Sequence, residues 1–292
     1  MDDRAALGSF LGAVVVGGTN YVGVRFSNRE LDPLWGACLR FALAALVCGL
    51  LVAALRLSLP RGRALGLVAL YGFLGFGLAY GCMYWALQEV PAGIAAVVFA
   101  VGPLLTLLLA VLHGMEVLTP RPLAGAVIAL AGSVVMFFQP EGSTFGLVSL
   151  ALLLLAALGA SESTVVSKLA GRHHPLAMNL VGMTVGTVTL LAGALLAGER
   201  LALPRETDTQ LALVYLVLAT VALFLFVLTV VQRWSASRTA YIFVSMPVVA
   251  IAMGALLADE PITVTTLLGG ALVAVGVYVG ALARPEAEAA AG

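Results

Sequence analysis

Residues 88–134 read QEVPAGIAAVVFAVGPLLTLLLAVLHGMEVLTPRPLAGAVIALAGSV, and residues 232–278 read QRWSASRTAYIFVSMPVVAIAMGALLADEPITVTTLLGGALVAVGVY. One offset, 144, aligns them without a gap. Gln88 falls on Gln232, Ala96 on Ala240, Phe99 on Phe243, Pro103 on Pro247, Glu116 on Glu260, Thr119 on Thr263, Gly125 on Gly269 and Gly132 on Gly276. With Ala92/Ala236, Leu112/Leu256 and Leu123/Leu267 this makes 11 identities in 47 positions. In so Ala-, Leu- and Val-rich a chain roughly five would match by chance. Gln, Phe, Pro and Glu are scarce here, and each matches in register. The chain is two copies of one unit.

Both copies are apolar enough for a membrane. Hydrophobic residues make up 62% of the 292 and charged residues 10%, where a soluble domain has about 25% charged residues. Mean hydropathy is +1.09. A soluble helical protein with a large core does not explain ten separated apolar runs. The expected spans are 5–24, 34–55, 64–87, 91–112, 121–138, 146–167, 175–197, 211–232, 238–258 and 262–282, joined by short connectors. This is an all-α membrane protein of ten transmembrane helices. The first repeat is expected over 1–142, the second over 143–284, and a disordered cytoplasmic tail over 285–292. The acidic start and the length of the first run argue for a retained helix over a cleaved signal peptide.

Formal net charge is zero, so there is no basic field for nucleic acid. Cys38, Cys48 and Cys82 sit inside apolar runs and read as reduced packing residues. His113, His173 and His174 lie at run ends without ligand spacing and read as interfacial. No metal or other cofactor is expected. The expected unit is a monomer in the lipid bilayer.

Lys and Arg in the connectors set the orientation. With the N-terminus inside, the cytoplasmic side holds Arg4, Arg56, Arg61, Arg63, Arg121, Lys168, Arg172, Arg233, Arg238 and Arg284, ten in all. The outer side holds four, Arg25, Arg29, Arg200 and Arg205, and Arg40 lies within a span. Both termini are therefore expected in the cytoplasm. The offset maps the fourth helix onto the ninth and the fifth onto the tenth, so each unit has five helices. An odd number inverts the second unit. Inverted repeats related by an axis in the membrane plane are characteristic of secondary transporters, with the substrate site near the midplane.

Three features resemble the drug/metabolite transporter superfamily in its EamA branch of paired five-helix units. Pro33-Leu-Trp-Gly-Ala-Cys-Leu-Arg40-Phe41 resembles that family's start of helix 2. Pro103 and Pro247 resemble its mid-helix prolines. Met115-Glu116…Gly125…Gly132 and Asp259-Glu260…Gly269…Gly276 resemble its Glu…Gly…Gly ends. The likeness covers about 5–282. Length, helix count and a Tyr-rich helix 3 look most like the YddG-type amino-acid exporters. The resemblance implies a secondary transporter that exports amino acids and related metabolites, aromatic or apolar ones, from the inner membrane by alternating access. The second repeat departs from the pattern at Thr184, where a partner of Arg40 would fall. An uncoupled facilitator, or a membrane-embedded enzyme or receptor, is the alternative. An enzyme needs a nucleophile–base set or paired carboxylates at depth, and only Glu162 qualifies, without a partner in kind.

Several residues are candidates for the pathway. Pro103 and Pro247 fall mid-helix, where proline removes a backbone hydrogen bond and frees the Phe99 or Phe243 carbonyl. They are expected to kink and gate the path; static kinks are the alternative. Tyr80, Tyr84 and Leu87/Gln88 share one face of helix 3, suited to a wet, aromatic cavity or to an interfacial belt. Tyr241 and Ser245 are the weaker counterpart on helix 9. Glu162 and Ser163 lie at depth on helix 6, where a carboxylate is costly and faces protein or water. Glu162 is expected to take a substrate ammonium or a coupling proton, or else to pair with Lys168. Asn20, after Gly17 and Gly18, is the corresponding polar group on helix 1. Asn20, Tyr80, Tyr84, Phe99, Glu162, Ser163, Tyr241 and Phe243 are thus expected to bound one substrate cavity. Arg40 snorkels outward, ion-pairs, or clamps a carboxylate. Glu116 and Glu260 are expected to favour the positive N-termini of helices 5 and 10. Gly8/Gly12, Gly77/Gly81, Gly182/Gly186 and Gly276/Gly280 read as packing faces. Helices 1, 3, 4, 6, 8 and 9 should line the path, with 5 and 10 as scaffold.

Overall fold

The computed structural model describes residues 2–27, 30–90, 95, 98–137, 146–258 and 263–282. Glu260, Arg284 and the tail 285–292 lie outside them. Among the described residues the chain forms ten helices and no strand. They are α1 (Asp2–Ser27), α2 (Pro33–Ala54), α3 (Arg63–Ala86), α4 (Gly102–Leu112), α5 (Pro120–Phe137), α6 (Leu147–Leu169), α7 (Pro175–Ala197), α8 (Thr207–Val231), α9 (Ala236–Ala258) and α10 (Val264–Val277, continued by Tyr278–Leu282). Five of these, α2, α3, α6, α7 and α8, are long and apolar enough to cross a membrane. Gly102–Leu112, Pro120–Met136 and Leu267–Leu282 are shorter apolar stretches.

Local chemistry sets the ends. Pro33 and Pro175 open their helices, where a missing N–H costs nothing. Gly198 ends α7 in the left-handed conformation at φ 70°, which glycine adopts without steric penalty. Carboxylates from other elements also close helix starts. Glu199 accepts the backbone N–H of Leu34 and of Trp35, at 3.1 and 2.7 Å. Glu116 accepts the Ser237 N–H at 3.1 Å and the Ser237 hydroxyl. Glu116 therefore serves the start of α9, where the sequence had placed it at α5. It follows the last turn of α4, which packs on α9. Beside Glu199, Asp32 accepts the Arg200 N–H and Glu30 those of Arg205 and Glu206. The Arg205 N–H holds the Glu30 carboxyl below its usual range.

α3 widens to π geometry over Phe73–Ala79 before returning to α at Tyr80. Such a bulge often sits at a functional site. α3 ends at Ala86, so Gln88 falls in the turn beyond the helix and leaves the Tyr80–Tyr84 face.

The helices pack in recurring combinations. α1 lies on α8 and α9, and α6 lies on α3 and α4. α2 packs on α7, α4 on α9, and α5 on α10. Exchanging each helix for the one five places away returns the same set. The matched glycines bring the backbones of α5 and α10 together. A Cβ on Gly125 would sit 2.8 Å from the Gly276 carbonyl oxygen, and one on Gly132 would sit 2.7 Å from that of Gly269. Between helices in lipid, small residues permit the packing that association needs. Gly182 and Gly186 likewise admit Tyr71 and Phe76, and Gly12 admits Phe226. Gly8 departs from the expectation: a Cβ there would meet nothing within 4 Å.

Candidate functional site

Arg40 is the first surprise at depth. It is 3% exposed, so it does not snorkel. Its Nε donates to the Thr220 hydroxyl at 2.5 Å. Its guanidinium carbon lies 5.7 Å from the Phe41 ring centroid and 5.9 Å from that of Tyr80. Guanidinium carries five N–H donors and stays charged. Among the described residues no carboxylate pairs with it. Aromatic faces attract a cation but accept none of its planar hydrogen-bond fork.

Those rings belong to a cluster across α2, α3 and α8. Tyr80 meets Phe41 edge-on at 4.8 Å and stacks on Tyr84 at 6.2 Å. Phe76 contacts Phe41 at 5.0 Å and Phe224 at 4.6 Å. The structure thus joins Tyr80 to Arg40 and to Tyr84.

Glu162 finds a partner that its sequence neighbourhood does not reveal. One carboxylate oxygen lies 3.2 Å from His113 Nε2 at the end of α4. The other is buried without a hydrogen-bond partner. Lys168 turns away and donates to the Val231 and Trp234 carbonyls, because six residues along a helix place it on another face. Asn20 is buried as well, and its side-chain oxygen also lacks a partner. Buried polar atoms are nearly always paired with protein or water. α1 and α6 therefore each carry an open acceptor.

The other candidates sit apart. Ser163 donates to the Tyr71 carbonyl at 2.9 Å, against Gly75. Tyr241 donates to the Pro122 carbonyl at 2.9 Å, against Gly280. Both make packing contacts. Phe99 joins a small cluster with Ala86, Val90, Ala95 and Leu153, while Phe243 packs on the main core. Pro247 lies inside α9. Pro103 lies in the first turn of α4, after a break at Ala100–Val101. The expected mid-helix kink at Pro103 is corrected to a helix start, where its missing N–H is one of the orphans anyway.

A groove of 480 Å³ opens between α2, α3, α6 and α7, with Gly77, Gly81, Cys82, Trp85, Thr189 and Leu190 on its walls. None of the candidate residues lines it. Among the described residues no group of His, Cys, Asp and Glu is placed to hold a metal.

The described helices form an apolar bundle that holds a buried cation, open acceptors and aromatic rings. The chain belongs to the EamA-like transporter family, whose model matches it twice, over residues 4–138 and 147–281. It is a transporter and not an enzyme. An uncharacterised transporter of Archaeoglobus fulgidus is 27% identical over 271 residues, 90% of this chain and 93% of that protein. A probable amino-acid metabolite efflux pump of Escherichia coli is 28% identical, with 91% of each chain covered. A probable terminal-alkyne amino-acid exporter of Streptantibioticus cattleyicolor is 25% identical, covering 82% of this chain and 81% of its own. One solved structure superposes with a TM-score of 0.81 at 20% identity, covering 96% of this chain and 97% of its own.

Proposed function

We propose that this chain is a secondary transporter exporting amino acids or related small metabolites, aromatic or apolar in side chain, across a bacterial-type inner membrane by alternating access. The observation that carries the substrate class is Arg40, a buried guanidinium with open donors beside Tyr80, which in turn stacks on Tyr84. A substrate carboxylate fits those donors in bidentate fashion. The rings suit an apolar or aromatic side chain. The names of two relatives, an amino-acid metabolite efflux pump and an amino-acid exporter, support the same class. A proteoliposome uptake screen over the amino acids tests the reading, and no uptake of any of them removes it.

The mechanism rests on ten spans in two inverted units, 1–142 and 143–284. The glycine contacts support this. Gly125 corresponds to Gly269 and Gly132 to Gly276, and Gly125 meets Gly276 while Gly132 meets Gly269. Exchanging the units maps one contact onto the other, as a two-fold axis between antiparallel α5 and α10 requires. Two equivalent halves can trade inward-open and outward-open arrangements around a fixed site.

Orientation is tested by topology. Reporters in 61–63 and after Arg284 are expected to face the cytoplasm, and one in 199–210 the far side, from the ten-to-four Lys and Arg count. A 199–210 reporter in the cytoplasm sinks both the orientation and the inversion.

The prolines give a third expected result. Pro247→Ala supplies an N–H for the Phe243 carbonyl in mid-helix and should slow transport severalfold by stiffening α9. Pro103→Ala, in a first turn, should have the smaller effect. Rates that rank the other way in a transport assay defeat the gating role of Pro247.

A further inference from the structure

We propose that His113 and Glu162 form a one-proton site that latches the end of α4 to α6 and couples transport to a proton gradient. The proposal rests on the transporter reading above and adds the coupling ion.

Hydrogen-bond direction carries the argument. His113 Nδ1 lies 2.8 Å from the Leu109 carbonyl oxygen. A carbonyl only accepts, so Nδ1 bears a hydrogen. Nε2 is then protonated in the imidazolium or is a bare acceptor in the neutral ring. It faces Glu162 Oε1 at 3.2 Å. Two acceptors do not bond, so the contact requires one proton between them. That proton lies on Nε2, giving imidazolium and carboxylate, or on Oε1, giving neutral imidazole and carboxylic acid. Either way the pair holds one proton more than its fully deprotonated form. Removing it sets a lone pair against a carboxylate, leaves a net charge of −1, and breaks the contact.

The surroundings leave this proton to the pair. Glu162 Oε2 is buried without a partner, so no second donor stabilises the bare carboxylate. On α6, Lys168 is held by the Val231 and Trp234 carbonyls. Glu116, three residues past His113, is held by Ser237. On α9, Arg238 donates to the Ala281 carbonyl and Tyr241 to the Pro122 carbonyl. On α3, Tyr71 donates to Asn179. Arg63, Arg121, Arg172 and Arg233 are further charges at the near ends of α3, α5, α6 and α8. The pair itself is reachable: the His113 side chain is 32% exposed and that of Glu162 is 22% exposed. α4 and α6 pack on each other, so loss of the proton removes the side-chain contact that holds the end of α4 to α6.

The test uses the whole protein in proteoliposomes and two readouts. The first needs no substrate. Spin labels at Leu112 and Leu169, at the ends of α4 and α6, report the distance between them as pH is varied. The expected result is a transition between two distances with a slope of about one proton, absent in Glu162→Gln and in His113→Gln. A distance independent of pH, or a transition that survives both substitutions, overturns the proposal. The second is uptake of the twenty amino acids. Entry by counterflow without a pH gradient supports the transporter reading. A one-proton exchange then drives accumulation toward about tenfold per unit of pH gradient. Counterflow without gradient-driven accumulation overturns the coupling and leaves the transporter standing. No amino-acid entry overturns the substrate reading, and the spin-label titration still decides the site.

Discussion

Arg40→Gln should weaken transport of a carboxylate-bearing substrate by about a hundredfold while leaving the folded protein as stable as wild type, or more so. The two halves of that expectation come from different terms. Truncating one partner of a buried, hydrogen-bonded charge pair costs about 2–5 kcal/mol of binding, and each 1.4 kcal/mol is roughly tenfold. Stability responds otherwise, because in the absence of substrate the guanidinium has no carboxylate to lose. Substitution removes the Thr220 hydrogen bond at 2.5 Å and the approach to the Phe41 and Tyr80 rings, worth about 1 kcal/mol for each kind of contact. It also removes a permanent charge from the membrane interior, whose insertion costs about 2.5–3.5 kcal/mol. These nearly cancel. Arg40→Lys keeps the charge but not the planar fork, so it should fall between the two. The measurement is the concentration for half-maximal transport, compared between an amino acid and its carboxamide. Wild type should prefer the acid and Arg40→Gln should lose that preference. An unchanged acid-to-amide ratio shows that Arg40 is structural.

The repeat was legible because scarce residues matched in register, and helix positions followed from apolar runs. Matched residue types did not guarantee matched geometry. Pro103 and Pro247 align, yet one starts a helix and the other lies within one. Pro103 follows the turn at Ala100–Val101, whereas Pro247 lies in an unbroken run of helix. The depth of Arg40 was legible, but its partner Thr220 is 180 positions away, and no periodicity connects them. The same holds for His113 and Glu162, which read separately as an interfacial histidine and an isolated carboxylate. Ser163 and Tyr241 have side chains suited to a wet wall. Their directions are set by Gly75 and Gly280 on neighbouring helices, and a single sequence does not show which neighbour will lie there.

Replacing Gly132 or Gly276 by valine should abolish the folded protein, and alanine at either should lower its melting temperature well below that of Gly8→Ala. The difference lies in what the new side chain meets. A Cβ on Gly132 would lie 2.6 Å from the Val273 backbone nitrogen and 2.7 Å from the Gly269 carbonyl oxygen. A Cβ on Gly276 would lie 2.5 Å from the Ala129 nitrogen and 2.7 Å from the Gly125 oxygen. Backbone atoms within helices have no rotamer to move into, so α5 and α10 must separate. Overpacking costs about 1–3 kcal/mol where side chains absorb part of it, and here backbone faces backbone. At Gly8 a methyl group meets nothing within 4 Å, and alanine gains about 1 kcal/mol of helix propensity over glycine. Melting in detergent, followed by size-exclusion chromatography, ranks the variants. Gly132→Ala as stable as Gly8→Ala defeats the close contact. Symmetry sharpens the test, since Gly125→Ala and Gly269→Ala occupy corresponding positions and should fall together. α5 and α10 carry none of Arg40, Tyr80, Tyr84, His113 or Glu162. Any alanine variant that still folds should therefore keep the wild-type acid-to-amide preference, which separates the contact that holds the two units together from the residues that read the substrate.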